Sequence, residues 1–457
     1  TMVLIPFVNS CTNLDEKFYD TVPVSNVGKT QAEQDALVGS VFPGLQKYSF
    51  NDPSYLSLVE ISGFCGVIPR RGGDWWDNGS HHELTMHSWA PQSAMDGYGY
   101  LGIWYDAFGN IATCNQQIAT IQKSSGDPSI SKKTIAELRG MRTFWYYLLI
   151  DNFGNVPIIT NFYDLTLPST TVPGQRKKVN DFMMAELDTI TSLLPPGGPS
   201  LTNYNRFTRG TAWMVRAKMY LNAMVWNPAG GQKWQECINA CDTILSMGYT
   251  LEPDWGINFV THNEVSREAI FSAAMKAGDG GNYILSYSLH YLSSDALGIA
   301  IGPSNGLAAM PNYVKDFDTI NDIRFKKTYL TGPQISLLTG QQIMTIEGLP
   351  LIFTININRD FTIDSWGSSN QSAGARCWKW PPEQGLTTSQ ENDIHIFRIS
   401  DVYLLKAEAL DRQSGSSSEA TGLVNTIRSR AFPVIASKLY LNISLVVLLL
   451  RIALQVV

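Results

Sequence analysis

The sequence predicts a mainly α-helical fold, in which helix pairs form a scaffold that carries long irregular loops and a few short strands. Three observations predict it. Several segments place apolar residues at the three- and four-residue spacing of a helix face and end at Pro, Gly or Asn. Small residues (Gly210, Ala212, Ala217, Ala223, Ala407 and Ala409) sit inside those segments, where they let neighbouring helices approach closely. Between them run two long stretches, 51–100 and 278–393, rich in Gly, Ser, Asn and Trp, with only short strand candidates such as 351–357. Long loops on a helical frame are where function resides.

Each helix has its own warrant. In 104–121 the apolar positions are Trp104, Phe108, Ile111 and Ile118, with polar residues between them. The next, 135–150, opens near Ser131 and Thr134 as capping residues and ends before Asn152, Phe153 and Gly154. The helix 179–194 is stopped by Pro195, Pro196, Gly197, Gly198 and Pro199, a firm break. In 208–226, Ala212, Val215, Met219 and Ala223 share one face, and Asn227-Pro228 ends the run. The segment 234–246 closes at Gly248. A last pair, 399–412 and 418–430, turns around Gly415. Paired helices with short turns point to helical-repeat packing, without a strict 34-residue period.

Composition narrows the function. The chain has 457 residues, 44% of them hydrophobic, enough for a large core. A net charge of −6 lacks the basic footprint of a nucleic-acid binder. Charged residues are 16%, against about 25% in an ordinary soluble domain, while the chain holds 12 Trp, 19 Tyr and 19 Phe. Many of these rings stand beside Gly, Asn, Asp and Ser. Weak charge with aromatics in polar loops suits a protein that holds polar, uncharged ligands by stacking and hydrogen bonds.

The six cysteines form no CxxC pair and no zinc-finger spacing. Cys237 and Cys241, four apart, fall on one helix face as small buried hydrophobes. His81, His82 and His87 gather loosely with Glu83, but surface histidines explain them better than a metal. The sequence therefore calls for no metal and no cofactor.

The strongest motif runs from Phe397 to Arg412, with Arg398, Asp401, Leu404, Ala407, Glu408 and Ala409 in the pattern R-x-x-D-x-x-L-x-x-A-E-A. It continues in Asn425, Arg428, Arg430 and Ala431 as N-x-x-R-x-R-A. Further matches are Cys114-Asn115, Glu137-Leu138-Arg139, Tyr146 to Pro157, Phe207 to Ala212, Ala217 to Leu221 and Arg70 to Asp77. In this order they resemble the SusD/RagB family of Bacteroidetes outer-membrane lipoproteins, from about residue 11 to 431. Residues 432–457 depart from the Glu/Arg-rich continuation usual there. The resemblance implies one SusD-like domain over 11–431, with the scaffold at about 90–250 and 395–431 and ligand-binding loops at about 51–90 and 278–393. It implies tetratricopeptide-like helix pairs, and a surface protein that captures oligosaccharide and acts as the hinged lid of a SusC-like, TonB-dependent β-barrel.

The N-terminus fits that reading. An apolar run, Met2 to Val8, precedes Cys11, and Asp15 and Glu16 follow it. This is similar to the end of a bacterial lipoprotein signal peptide, with 1–10 its remnant and Cys11 the acylated residue, anchoring the protein at the cell surface of the outer membrane. The apolar stretch 439–457 is interrupted by Asn442, Arg451 and Gln455 and is not read as a membrane span.

Two patches are candidates for ligand binding. In the first, Trp75 and Trp76 stand with Arg71, Asp74, Asp77 and Asn78, which supply fixed donors and acceptors beside rings that pack on sugar C–H faces. Adjacent side chains diverge, so one indole is expected inward and one outward. Arg71 and Asp74 also suit a loop brace. The second patch has Trp366 as an exposed platform with Asp364 and Arg376, beside Trp378 and Trp380, whose alternation fits one strand face packed in the core. Tyr291 is a further candidate, with Tyr287 beside it. Arg398, Asp401 and Glu408 lie on a scaffold helix and are expected in internal salt bridges. The ligand is a glycan or, as for some of the family, a peptide, and aromatic-rich, weakly charged loops favour the glycan. A glycoside hydrolase would also pair tryptophans with carboxylates, about 5–9.5 Å apart. Asp74 and Asp77 are the nearest such pair in the loop, and no hydrolase motif surrounds them, so no enzymatic activity is expected.

Overall fold

The structure is a computed structural model that describes residues 27–49, 54–71, 74–90, 101–163, 174–277, 280–357, 371–383, 385–387, 389–415 and 417–433. Cys11, Trp366 and the stretch 439–457 lie outside the described residues.

The scaffold is a succession of packed helices. Leu101–Lys123 packs on Pro128–Phe153, which packs on Arg176–Ile190; Arg209–Leu221 packs on Trp234–Leu245. The chain then leaves for a long excursion and returns as Ile399–Ser414, which docks on Trp234–Leu245 and carries Ser418–Ala431 on its other side. The expected seven helices are all present, and the first two are longer than their apolar periodicity indicated. The reason lies at the ends. Asp127 caps the second helix by accepting from the Ser129 N–H at 2.7 Å, and Pro128 fills the first helical position, where no N–H is needed. That helix ends at Gly154, which takes φ +68° while its N–H bonds back to the Ile150 carbonyl.

One helix is shorter than expected. The apolar face of 208–226 breaks at Asn222, so Arg209–Leu221 is followed by a single turn, Ala223–Trp226. Ala223 is consequently only half-buried, whereas Ala212, Ala217, Ala407 and Ala409 are sealed in helix contacts. Gly140 is a close-approach position: a Cβ there would stand 2.2 Å from the Phe207 ring. Cys237 and Cys241 are both fully buried, as their spacing indicated.

The long irregular stretches also hold short helices. The stretch 51–100 holds helices Tyr55–Ser62 and Ser80–Met86, and 278–393 holds Ile284–Ser288, Ser293–Leu297, Pro311–Lys315 and Ile323–Thr328. These are one- to two-turn helices, too short to show a 3.6-residue apolar repeat. They have cores of their own. Val67, Ala308, Ala309, Val314, Phe325 and Ala375 form one, where strand Gly66–Val67 pairs with Ala308–Ala309 and the Ala309 N–H reaches the Ala375 carbonyl.

A two-stranded antiparallel ribbon, Ala269–Ala273 with Ile394–Arg398, closes the excursion, in the register Ala269 opposite Arg398 and Ala273 opposite Ile394. It packs on the Pro128–Phe153 helix through edge-to-face rings. Phe144 lies 5.2 Å from Phe271 and 6.1 Å from Phe397, and Phe207 6.1 Å from Phe271. Among the described residues no helix is long and apolar enough to cross a membrane.

Candidate functional site

The loop 70–78 is held in an unusual backbone. Arg71 and Asp74 exchange both backbone hydrogen bonds (3.0 and 3.1 Å), closing a tight turn. Trp75, Asp77 and Asn78 then take φ of +61°, +42° and +55°. Non-glycine residues in that region cost free energy, and clusters of them mark ligand clamps and active sites.

That backbone sends the two indoles apart. Trp75 is half-buried; its Nε1 donates to the Ser304 carbonyl at 2.9 Å and its ring meets Tyr287 edge-on at 4.9 Å. It also fills the space a Cβ on Gly306 would need. Trp76 is 43% exposed, with the Arg70 guanidinium 5.2 Å from its ring centroid. Tyr287 is thus a packing residue behind Trp75, while Tyr291 is 41% exposed and donates its hydroxyl to Asp74 Oδ2 at 2.6 Å. Asp77 Oδ2 lies 3.2 Å from His81 Nε2, and that contact holds the Asp77 carboxyl below its ordinary range. Asn78 is exposed at the end of the loop. The open face is therefore Trp76, Tyr291, Asp74 and Asn78.

The arginines are placed otherwise than expected. Arg71 makes no side-chain brace with Asp74; it is fully buried and donates from Nη1 to the Gln371 carbonyl at 3.0 Å. Arg376 is also fully buried, donates from Nη2 to the same carbonyl at 2.9 Å, and lies 5.1 Å from the Phe353 ring centroid. The structure thus joins Arg376 to the first patch, beneath its surface. Burial pulls Arg71 down to about 9, and burial together with Arg71 pulls Arg376 down as well. His290, buried beside them, is lowered to about 4 by burial and by both arginines, and its Nδ1 accepts from the Leu292 N–H. Asn305 Nδ2 donates to the Gln371 carbonyl and side chain at 3.2 and 2.7 Å. Sequence reasoning missed His290, Asn305 and Gln371. The available signal was Ser304-Asn305-Gly306, a turn triplet whose asparagine takes φ +57°.

Trp378 and Trp380 do not share a strand face. The strand is only Arg376–Cys377; Trp380 is buried in the main core and Trp378 packs on a separate cluster around Leu285 and Leu297. The histidines diverge too: His81 lies against Trp75, and His87 Nε2 is 2.7 Å from the Ser62 carbonyl. Among the described residues no three His, Cys, Asp or Glu side chains converge as a metal site.

A cavity of about 400 Å³ opens between the Tyr55–Ser62 and Ile399–Ser414 helices, lined by Tyr55, Tyr147, Phe259, Lys379, Trp380 and Arg398 among others. Lys379 lies 4.8 Å from the Phe259 ring centroid, and burial, with Arg398 adding, pulls it down to about 8. One wall is the Phe397 to Arg412 motif itself, and the rest comes from residues far apart in sequence, so the motif alone does not disclose the cavity.

Residues 353–433 match the SusD family. The matched span contains the Arg398 to Ala409 motif and its Asn425 to Ala431 continuation. Over this span the chain is similar to the SusD/RagB family. It is similar to the starch-binding protein SusD of Bacteroides thetaiotaomicron, 22% identical over 389 residues, which are 78% of this chain and 67% of that protein. Among solved structures it is similar to a SusD superfamily protein from Parabacteroides distasonis, with a TM-score of 0.72 and 17% identity over 93% of this chain and 85% of that one. It is likewise similar to surface glycan-binding protein A from Bacteroides thetaiotaomicron in complex with laminarihexaose, with a TM-score of 0.68 and 17% identity over 93% and 87% of the two chains. At these identities the structural likeness speaks for the fold.

In this chain the residues of the matched motif build the frame. Arg398 Nη1 lies 3.3 Å from Glu268 Oε2, and Arg430 Nη1 bonds Glu268 Oε1, which also accepts from Asn258 and from the Glu252 N–H, both at 2.9 Å. Glu268 is fully buried, so the two arginines supply the charge it needs. Asp401 pairs with Lys218 at 2.8 Å and Glu408 with Arg412. The other SusD/RagB matches behave alike. Asn115 Oδ1 accepts from Arg142 at 2.6 Å, Arg142 and Arg139 share Glu186, and buried Glu137 is held by Arg206 while burial raises its carboxyl.

Proposed function

We propose that this protein captures an oligosaccharide at the cell surface and passes it, unbroken, to a SusC-like TonB-dependent barrel, over which it acts as a lid. The observation that carries this reading is the open face of the strained loop: an exposed indole, Trp76, two residues from Asp74, which fixes the exposed phenol of Tyr291. An indole face packs on sugar C–H groups, while Asp74, Asn78 and the Tyr291 hydroxyl offer oriented hydrogen-bond partners. The starch-binding relative and the laminarihexaose complex support a glycan over a peptide. Acylation at Cys11 would place the protein on the outer membrane, and two or more acyl chains give stable anchoring.

Binding without catalysis agrees with the carboxylates of the loop. Asp74 is engaged by Tyr291 and Asp77 by His81, so neither stands as a free acid or nucleophile toward a glycosidic bond. Calorimetry of the full chain against laminari- and malto-oligosaccharides, with a parallel assay for new reducing ends, tests the reading. Binding without turnover, weakened in Trp76→Ala, is expected; turnover, or Trp76→Ala binding like the parent, would overturn it. Co-purification from membranes with a large β-barrel tests the transport role.

A further inference from the structure

Beneath the open face lies an electrostatic imbalance that sugar stacking does not explain. Arg71 and Arg376 are fully buried, each spending a single donor on one shared acceptor, the Gln371 carbonyl. Asn305 Nδ2 bonds the same oxygen, so one carbonyl with two lone pairs serves three donors. Meanwhile Nε and Nη2 of Arg71 and Nε and Nη1 of Arg376 have no acceptor. No carboxylate among the described residues forms an ion pair with either arginine: Asp74, joined to Arg71 through the backbone, gives its side chain to Tyr291. His290, whose imidazole both arginines help to keep neutral, adds no negative charge.

Guanidinium does not lose its proton in proteins, so two positive charges remain. Both lie within hydrogen-bond distance of one oxygen, which sets them side by side. Buried polar groups are satisfied in native proteins almost without exception, and an orphan marks an unseen water or ion. Here the orphans carry like charges, which selects an anion over water. Elsewhere among the described residues each buried arginine meets a carboxylate: Arg142 on Glu186, Arg216 on Asp188, Arg324 on Asp322 and Arg398 on Glu268. The 71/376 pair is the exception.

We propose that Arg71 and Arg376 form an anion-binding subsite under the Trp76–Tyr291 face, occupied by a small anion such as chloride or by a carboxylate carried on the oligosaccharide. The bound anion takes the orphan N–H groups in the forked geometry guanidinium favours and relieves the crowded Gln371 carbonyl.

Two arms of one experiment separate the sources. In the first, the melting temperature of the full chain is followed as sodium chloride replaces a bulky sulfonate salt at constant ionic strength, and crystals soaked in bromide are examined for anomalous scattering. A rise of about 2 °C or more, with a bromide peak between the two guanidiniums, supports the free-anion source. In the second, calorimetry compares tetragalacturonate with its methyl ester, whose esterified carboxyls carry no charge. An affinity about tenfold higher for the acid, about 1.4 kcal/mol, supports the sugar-borne source. In either arm Arg376→Met should abolish the difference; should that variant not fold, the bromide map and the acid–ester pair still decide on the parent chain. No halide response, no peak and equal affinity for acid and ester would overturn the site. The second arm rests on the oligosaccharide reading: equal binding of acid and ester with no halide effect sinks the subsite and leaves that reading standing. A halide response with no sugar bound does the reverse.

Discussion

Trp75 and Trp76 are neighbours in sequence and face opposite ways. The first is tied to the Ser304 carbonyl and packed against Tyr287, and the second stands open beside Arg70. One anchors the loop and the other is displayed by it.

The pair therefore separates stability from binding. Trp76→Ala should weaken oligosaccharide binding about tenfold or more with little change in melting temperature. Trp75→Ala should destabilise the fold by about 3 kcal/mol, through lost packing and an orphaned Ser304 carbonyl. Calorimetry and urea unfolding of the two variants check this.

Glu268 is the hinge of the signature motif. Glu268→Gln leaves Arg398 and Arg430 buried around a neutral partner and should cost about 3–5 kcal/mol. The loss would appear as a lower urea midpoint. A variant as stable as the parent would contradict the structural role given to the motif.

Gly140 tests helix spacing. Gly140→Ala sets a methyl group against the Phe207 ring and should destabilise by about 1–3 kcal/mol. Shrinking the ring in Gly140→Ala/Phe207→Leu should recover part of that loss, so the double mutant is less destabilised than the sum of the singles.

His290 gives a pH dependence of defined sign. Its folded pKa, about 4, is below the ordinary value of 6.5, so the unfolded chain binds the proton first as pH falls. The stability it contributes is full above about 6.5 and is lost toward pH 4, at about 1.4 kcal/mol per pH unit. Arg71 and Arg376 act with burial to lower it, and Glu347 opposes them. His290→Gln should flatten this part of the stability–pH curve measured by urea unfolding.

The scaffold was largely legible in the sequence, because long helices repeat their apolar face several times and Pro195 to Pro199 or Gly154 mark their ends unambiguously. The loops were less so. Helices such as Tyr55–Ser62 and Pro311–Lys315 complete two turns at most, and their cores are assembled from Val67, Ala308 and Ala375, distant in sequence. At the site, the divergence of Trp75 and Trp76 followed from elementary geometry. The burial of Arg71 and Arg376 did not, since a guanidinium in a Gly-rich or Trp-rich segment reads as surface. Only the fold reveals that both turn inward to one carbonyl. The half-turn break at Asn222 was hidden by apolar residues that keep the same periodicity on both sides of it.

The ribbon of Ala269–Ala273 against Ile394–Arg398 brings the two ends of the ligand-loop excursion side by side on the frame. The segment between them is fastened to the rest of the chain again by the pairing of Gly66–Val67 with Ala308–Ala309, by Trp75 on the Ser304 carbonyl and by Trp380 in the main core. A relative's intervening segment transplanted between these strands would therefore keep the frame intact only if it brought matching partners for those contacts as well as for the ribbon.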